Sequence, residues 1–338
     1  MRVTSITPMK NEGPFILEWI AYHQAIGIND ILVFTNDCTD GTDIILERLD
    51  EMGVLRHYPN PSMSVEVTKH HWMVMNYVNT MPRLKRSDYY INIDVDEFIC
   101  INTGDGRITD LIAAMGDADI LSACQLNFGC DGHVEWDSAA LVIDQFTRSM
   151  KRDDTQYATP RPRGLKSLVR CGANFKRIGN HAPYVTKVQR ETIKWINAAG
   201  APVNLGTLAD RPMSFQGTDA HYDLVQINHY AVRSMENFLM KSARGNANHA
   251  DEPISLDYFR YYDLNDMVDT RITRWSAAVR ERISDLLQDR ELAAMNAKTI
   301  AFHQKQIAEA KATPSGQELM QRLRRFHRRN WMTAPVKT

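Results

Sequence analysis

The sequence predicts an α/β fold with a mostly parallel central sheet and a helical C-terminal extension, on three observations. Strand-like and helix-like patterns alternate through the first hundred residues, the order that builds a parallel sheet covered by helices. Two strand candidates, Ile31-Leu32-Val33-Phe34 and Tyr89-Tyr90-Ile91-Asn92-Ile93, are almost wholly apolar, as strands buried on both faces are. From Asn248 onward the chain turns to long runs of Ala, Leu, Arg, Glu and Gln, all good helix formers. The division expected is 1–246 for the α/β domain and 247–338 for the helical region.

Taken in order, residues 3–9 read as the first strand, and Lys10-Asn11-Glu12-Gly13 as a polar loop. Pro14 suits the first turn of a helix, and Ile16, Trp19, Ile20 and His23 then fall on one face at helical spacing. After the strand at 31–34, the turn Thr35-Asn36-Asp37-Cys38-Thr39-Asp40-Gly41-Thr42 supplies N-cap candidates for a helix through Ile44, Ile45, Leu46 and Leu49. Residues 54–58 form a third strand, 65–81 a helix and 89–93 a fourth strand. Further strands are expected at 121–128, 141–146 and 224–227, with a basic loop, Arg161-Pro162-Arg163-Gly164-Leu165-Lys166, before the last of them. Residues 272–287 and 291–311 are helical, and Ala312-Thr313-Pro314-Ser315-Gly316 breaks the run. The tail 319–331 sets arginines among Leu319, Met320, Leu323, Phe326 and Trp331, a pattern suited to docking on the protein or to an anionic membrane surface.

Composition narrows the function classes. The 338 residues are 43% hydrophobic and 24% charged, with a net charge of -1, which offers nucleic acid no electrostatic footprint. Five cysteines without a C-x-x-C pair fit reduced thiols rather than a disulfide frame. No apolar leader opens the chain and no run of about 18 apolar residues occurs, so a cytoplasmic protein is expected, peripheral to the inner membrane face at most.

Chemistry concentrates at the end of the fourth strand, in Asp94-Val95-Asp96-Glu97. Alternation along an extended chain puts Asp94 and Asp96 on the same side. Two carboxylates that close repel each other, and a divalent ion with oxygen ligands, Mg²⁺ or Mn²⁺, relieves this while leaving positions for substrate phosphates. His229, after the apolar stretch Leu224-Val225-Gln226-Ile227, is placed to complete that shell as a neutral imidazole. The loops at Lys10, at 36–40 and at 94–96 each follow a strand and should converge.

These residues carry a resemblance. Lys10-Asn11-Glu12, Glu18-Trp19-Ile20-Ala21-Tyr22-His23, Asn36-Asp37-Cys38-Thr39-Asp40-Gly41-Thr42 and Asp94-Val95-Asp96-Glu97-Phe98 resemble bacterial family-2-like glycosyltransferases and the related family-92 group. Phe128-Gly129, residues 165–170, His181, residues 228–234 and Lys241-Ser242-Ala243-Arg244-Gly245 continue it in the same order, from about residue 2 to 246. Cys38 stands where the family more often has serine. The resemblance implies a GT-A fold, a nucleotide-sugar donor (UDP favoured, GDP open) and a metal held at the D-x-D.

A sugar nucleotide leaves as a nucleoside diphosphate, so charge builds on the β-phosphate as the glycosidic bond breaks. Lys10, Asn11, Glu12, Asn36, Asp37 and Asp40 lie where a base and ribose would sit. Asp94 with Lys166, Lys241 and Arg244 would then take the diphosphate. The acceptor is expected to be a glycan or a lipid-linked saccharide. Transfer with inversion requires a general base on the acceptor side, and the loop Gly129-Cys130-Asp131-Gly132-His133-Val134-Glu135-Trp136-Asp137 offers Asp131 first, then Glu135 and Asp137. Two other classes compete: a GT-A-like module that binds nucleotide or glycan without catalysis, and a haloacid-dehalogenase-type phosphatase. The latter places its aspartates on the first strand, whereas three strands precede Asp94.

Overall fold

A computed structural model describes residues 1–65, 69–153, 162–206, 213–215, 220–244 and 255–333, together with their side chains except those of 243, 244 and 328–333. The N-terminal third alternates as expected: β1 (Val3–Met9), α1 (Ile16–Ala25), β2 (Asp30–Thr35), α2 (Thr42–Glu51), β3 (Arg56–Pro59), α3 (His70–Val78), the short α4 (Pro82–Lys85) and β4 (Tyr89–Asn92). β1 pairs in parallel with β2 and β4, and β2 with β3, with Ile6 opposite Leu32 and Asn92. Every residue of β1, β2 and β4 is buried, which is why these strands read as near-continuous apolar runs.

The remaining elements are β5 (Glu97–Ile101), α5 (Ile108–Met115), β6 (Ile120–Asn127), α6 (Val142–Gln145), β7 (Arg148–Ser149), β8 (Arg163–Arg170), β9 (Trp195–Asn197), β10 (Ser214–Phe215), β11 (Val225–His229), α7 (Met235–Arg244), α8 (Leu256–Tyr262), β12 (Met267–Val268), α9 (Ser276–Leu286), α10 (Arg290–Ala312) and α11 (Pro314–Thr333). The main sheet runs β3-β2-β1-β4-β8-β6-β11-β5, with β9 and β10 pairing off that path. Its first four strands are parallel. β8 enters antiparallel to both neighbours, and β5 returns antiparallel to β11. The α/β class, the mostly parallel sheet and the C-terminal helices are thus as the sequence predicts.

Several local readings change. Residues 163–166, expected as a basic loop, are the first half of β8, and Lys166 lies wholly buried in the sheet. Residues 141–146 are not a strand but the single helical turn α6, because the carboxylate of Glu18 on α1 accepts the backbone N–H groups of Val142 and Ile143 at 2.8 and 3.1 Å. The helix expected over 65–81 covers only His70–Val78, its residues 66–68 lying outside the described ones. Apolar residues of the C-terminal region, Ile272, Val279, Leu286 and Leu292, join the same cluster as Ile6, Ile20 and Leu32. α9 packs on α1, and α10 on α2 and α7. On α11, Met320 and Leu323 are buried against Phe238 and Phe259, so the apolar face proposed for a membrane is occupied within the protein. No described helix is long and apolar enough to cross a membrane.

His23 on α1 is fully buried among Trp19, Tyr22 and Phe98. Its Nδ1 faces the Trp19 carbonyl at 2.8 Å, and burial pulls its pKa down to about 3. The unfolded chain takes a proton near pH 6.5 while the folded one refuses it until about 3, so stability drops as pH falls through that window. The expected slope is about 1.4 kcal/mol per pH unit. Urea midpoints of wild type and His23→Phe at pH 7.5 and 5 check this: wild type should lose more on acidification, and equal losses would refute the account.

Candidate active site

The site is assembled where β4 stops. The extended chain ends at Asn92, and Val95–Asp96 form a tight turn, with Glu97 N–H bonded to Asp94 C=O at 3.0 Å. The two aspartates therefore meet across a turn rather than by strand alternation. Trp19 holds that turn from below, its indole N–H reaching the carbonyls of Asp94 and Glu97 at 3.1 Å each.

Three carboxylates now crowd one spot, and two lysines answer them. Lys166 Nζ lies 2.8 Å from Asp94 Oδ2 and 3.1 Å from Glu97 Oε2, with its own side chain wholly buried. Lys241 Nζ, from α7, reaches Asp96 Oδ2 at 3.1 Å and the Ala231 carbonyl at 2.9 Å. Burial opposes ionisation of Asp94 and Asp96, but the adjacent lysines outweigh it and hold both carboxyls below their ordinary range. Glu97 moves the other way: burial, with Asp94 and Asp96 beside it, raises its pKa against the pull of Lys166.

His229 ends β11 with Nε2 at 3.8 Å from Asp96 Oδ2. Its Nδ1 faces Asn127 Oδ1 at 2.9 Å, a partner that can only accept, so the proton belongs on Nδ1 and the Nε2 lone pair looks toward Asp96. Burial lowers the ring's pKa to about 4 and keeps it neutral. On the opposite side, His71 of α3, which the sequence reading passed over, brings Nδ1 to 4.0 Å from Asp94 Oδ1. Both atoms are buried without a hydrogen-bond partner, and that gap is what one bridging atom would fill. An orphaned carboxylate oxygen on Asp94, the Asp96 carboxylate and a neutral imidazole are donor types that a divalent cation takes, although the metal-ligating groups drawn within 4.8 Å of one another among the described residues are others.

Asp96 opens onto a cavity of about 270 Å³. Asn11, Glu12, Thr39 and Asp40 line one side, Tyr230 to Arg233 with Asn237 and Lys241 another, and α10 closes it with Phe302, His303 and Gln306. The first two loops thus converge on Asp96, bound by Thr39 N–H to Asn11 Oδ1 at 2.8 Å and Gly13 N–H to Asp40 Oδ2 at 3.1 Å. Arg233 pairs with Glu12 at 3.2 Å and lies 3.6 Å over the Phe15 ring. Among the described residues, Asn11, Asp37, Asp131 and Arg233 are the non-glycine ones with positive φ, at 56°, 48°, 48° and 51°. Asn11 and Arg233 line the cavity, whereas Asp37 borders the second groove and Asp131 lies outside both. Neither Arg233 nor the α10 residues could be placed from sequence, since a helix two hundred residues away carries no signal of which loop it covers.

Other expected residues fall differently. Lys10 pairs with Asp37 at 3.9 Å, both side chains substantially exposed, beside a second groove that includes Asn36 and Asp37. His181 Nδ1 lies at 3.0 Å from the Leu165 carbonyl and takes no part in the cavity. The side chain of Arg244 lies outside the described residues. None of Asp131, Glu135 and Asp137 lines the cavity. Asp131 is turned onto Thr147 (3.0 Å), because its left-handed backbone and the Asn265 bond to its N–H aim the side chain away. Asp137 caps its own turn through Ala139 N–H. Glu135 and Asp137 are both exposed beside Trp136, whose ring packs against Phe15 and His303 at the cavity edge.

The glycosyltransferase family 92 model matches residues 3–197, more than half of the chain. The chain belongs to glycosyltransferase family 92. The matched residues include the Asp94–Asp96 turn and Lys166. A family-92 protein of Oryza sativa subsp. japonica is 27% identical over 99 residues, which are 28% of this chain and 15% of that protein. The chain thus spans only a small part of that relative, and the rice match shows that the resemblance is not confined to bacteria. Among solved structures, mannosyl-3-phosphoglycerate synthase from Rubrobacter xylanophilus aligns at 14% identity and TM-score 0.28, over 51% of this chain and 54% of the other. A UDP-glucose pyrophosphorylase from Acinetobacter baumanii aligns at 9% and 0.23, over 51% and 75%. Likeness at that level decides nothing about this family-92 chain, whose site has to be read from its own residues.

Lys166 is the test of how that site is balanced. Replacing it with Met leaves Asp94 and Glu97 buried without their shared cation, a change expected to cost about 3–5 kcal/mol. The loss should be largest at neutral pH and shrink as the pH falls, since protonating the stranded carboxylates removes their repulsion. Urea midpoints at pH 7.5 and 5 check this; a pH-independent difference would show that Lys166 acts by packing alone.

Proposed function

We propose that this chain is a metal-dependent glycosyltransferase that moves a sugar from a nucleotide-sugar donor, with UDP favoured, to a hydroxyl of a glycan or lipid-linked saccharide. The observation that carries the reading is the pairing of the Asp94–Asp96 turn with two lysines and a neutral histidine at the mouth of a cavity. Asp94 Oδ1, Asp96 and His229 Nε2 are the groups that would hold Mn²⁺ or Mg²⁺. Bound there, the ion supplies Lewis-acid neutralisation of the leaving diphosphate.

The chain's own residues do the rest. Lys241, already drawn to Asp96, is within a side-chain rotation of a phosphate placed over the turn, and Lys166 sets the ionisation of Asp94 from beneath. Asn11, Thr39 and Asp40 wall the donor side. Asn237 Nδ2 and Arg233 Nε are buried without an acceptor, which suits a ligand rich in hydroxyls or phosphate oxygens. Phe15, with Trp136 and His303 packed around it, offers the apolar face on which a sugar ring rests. A single displacement inverts the anomeric centre and asks for a base on the acceptor side; Glu135, exposed beside Trp136, takes that role here in preference to Asp131.

A thermal-shift series of sugar nucleotides with and without Mn²⁺ tests the donor assignment. A matching donor raises Tm in proportion to RT ln(1 + [L]/Kd), more with metal than without. Asp94→Ala and Asp96→Ala should abolish the metal-dependent part while the proteins stay folded. A shift that needs no metal, or one that survives Asp96→Ala, would overturn metal dependence. Turnover absent with every donor that binds would favour a binding module.

The base assignment separates two variants. Glu135→Gln should keep donor affinity and lower the transfer rate by about 10²-fold or more. Asp131→Asn should instead lower Tm, through its bond to Thr147, with the rate changed little. The reverse pattern would return the role to Asp131, and a product with the donor's own anomeric configuration by proton NMR would refute inversion.

A further inference from the structure

A second cluster of metal-ligating groups shares no residue with the aspartate turn. Cys130 stands just after β6, Asp263 follows α8, and His327 is on α11, yet their ligand atoms all lie within 4.8 Å of one another. His327 Nδ1 is 3.5 Å from Asp263 Oδ2 and 3.6 Å from Cys130 Sγ. Cys130 is fully buried and Asp263 is 5% exposed.

We propose that Cys130 Sγ, Asp263 Oδ2 and His327 Nδ1 bind one zinc ion, with water in the fourth position, and that this ion fastens α11 to the catalytic domain. The spacings carry the proposal. At 3.5 Å an imidazole nitrogen and a carboxylate oxygen are too far apart for a good hydrogen bond. Ligands about 2.0–2.3 Å from a tetrahedral Zn²⁺ stand roughly 3.4–3.6 Å apart, which is the separation found. A Cys–His–Asp relay would place thiol and carboxylate on opposite ring nitrogens, whereas both approach Nδ1 here. The outer shell is ready as well: Asp263 Oδ1 accepts Cys130 N–H and Asn265 Nδ2 at 2.8 Å each, which leaves Oδ2 to face the ring.

Charge and ligand softness agree. A thiolate, a carboxylate and a neutral imidazole cancel the ion's two charges, so a buried site stays neutral. Asp263 has no lysine or arginine ion pair among the described residues. Thiolate selects zinc over the Mg²⁺ or Mn²⁺ suited to the aspartate turn. Binding replaces the thiol proton, which leaves to solvent, and forms the Zn–S bond without redox chemistry. The three segments that bring the ligands also meet in an apolar cluster that includes Cys130, Phe259, Met320 and Leu323.

Full-length protein stripped by a chelator and titrated with Co²⁺ gives the decisive signal. Wild type should show a thiolate-to-cobalt charge-transfer band and intense visible bands of a tetrahedral site at one equivalent. Asp96→Ala should retain them, which separates this site from the one at the turn. Cys130→Ser should lose the charge-transfer band. His327→Ala, on the terminal helix and so safe for the fold, should weaken Zn²⁺ affinity at least 10-fold against a competing chromophoric chelator. Zinc removal should also speed hydrogen exchange over residues 315–327. No charge-transfer band in wild type, a band that survives Cys130→Ser, or unchanged affinity in His327→Ala would overturn the proposal.

Discussion

Everything in the site depends on keeping three carboxylates ionised or poised within one buried turn. Burial alone would neutralise Asp94 and Asp96, and a neutral pair would have no use for a cation or a phosphate. Lys166 from β8 and Lys241 from α7 prevent this, and each is locked in place by a carboxylate it protects. The arrangement costs desolvation of five charged groups and recovers it only while every member is present. Stability and ionisation are therefore tied at this point, since the lysines that let the turn fold also keep its aspartates charged.

The sheet explains how such a turn is presented. Parallel strands β1, β2 and β4 end together, so their following loops share one edge, as in other open α/β sheets. β8 then enters antiparallel and carries Lys166 under the turn from the opposite direction. β5 leaves the turn antiparallel to β11, which brings His229 opposite Glu97. The left-handed residues Asn11, Asp37, Asp131 and Arg233 show where the backbone is bent out of its easy regions to complete the loops.

The C-terminal helices belong to the site as much as to the scaffold. α10 closes the cavity with Phe302, His303 and Gln306, and His303 Nε2 lies 3.0 Å from Asn237 Oδ1 on α7. α11 spends its apolar face on α7 and α8, which leaves Arg322, Arg324 and Arg325 exposed. The tail, whose pattern suits docking on the protein or on an anionic membrane surface, is here a brace, because an apolar stripe buries itself against the surface the fold brings nearest.

The sequence by itself determined the α/β order, the buried strands and the placing of Asp94 and Asp96 just after the fourth strand, since period and apolar runs are local properties of the chain; that the two meet across a turn was decided by the structure. It also determined which loops meet, because consecutive parallel strands place their C-terminal ends on one edge. Tertiary structure alone decided what those loops meet with. That residues 163–166 are a central strand rather than a basic loop follows from pairing with β4 and β6, segments distant in the chain. That 141–146 form a helical turn follows from one buried carboxylate on α1. Asp131 reads as the first candidate base of its loop, and in the fold its side chain accepts the Thr147 hydroxyl. Side-chain direction, unlike period, is set by partners far along the chain, and sequence spacing holds no record of them.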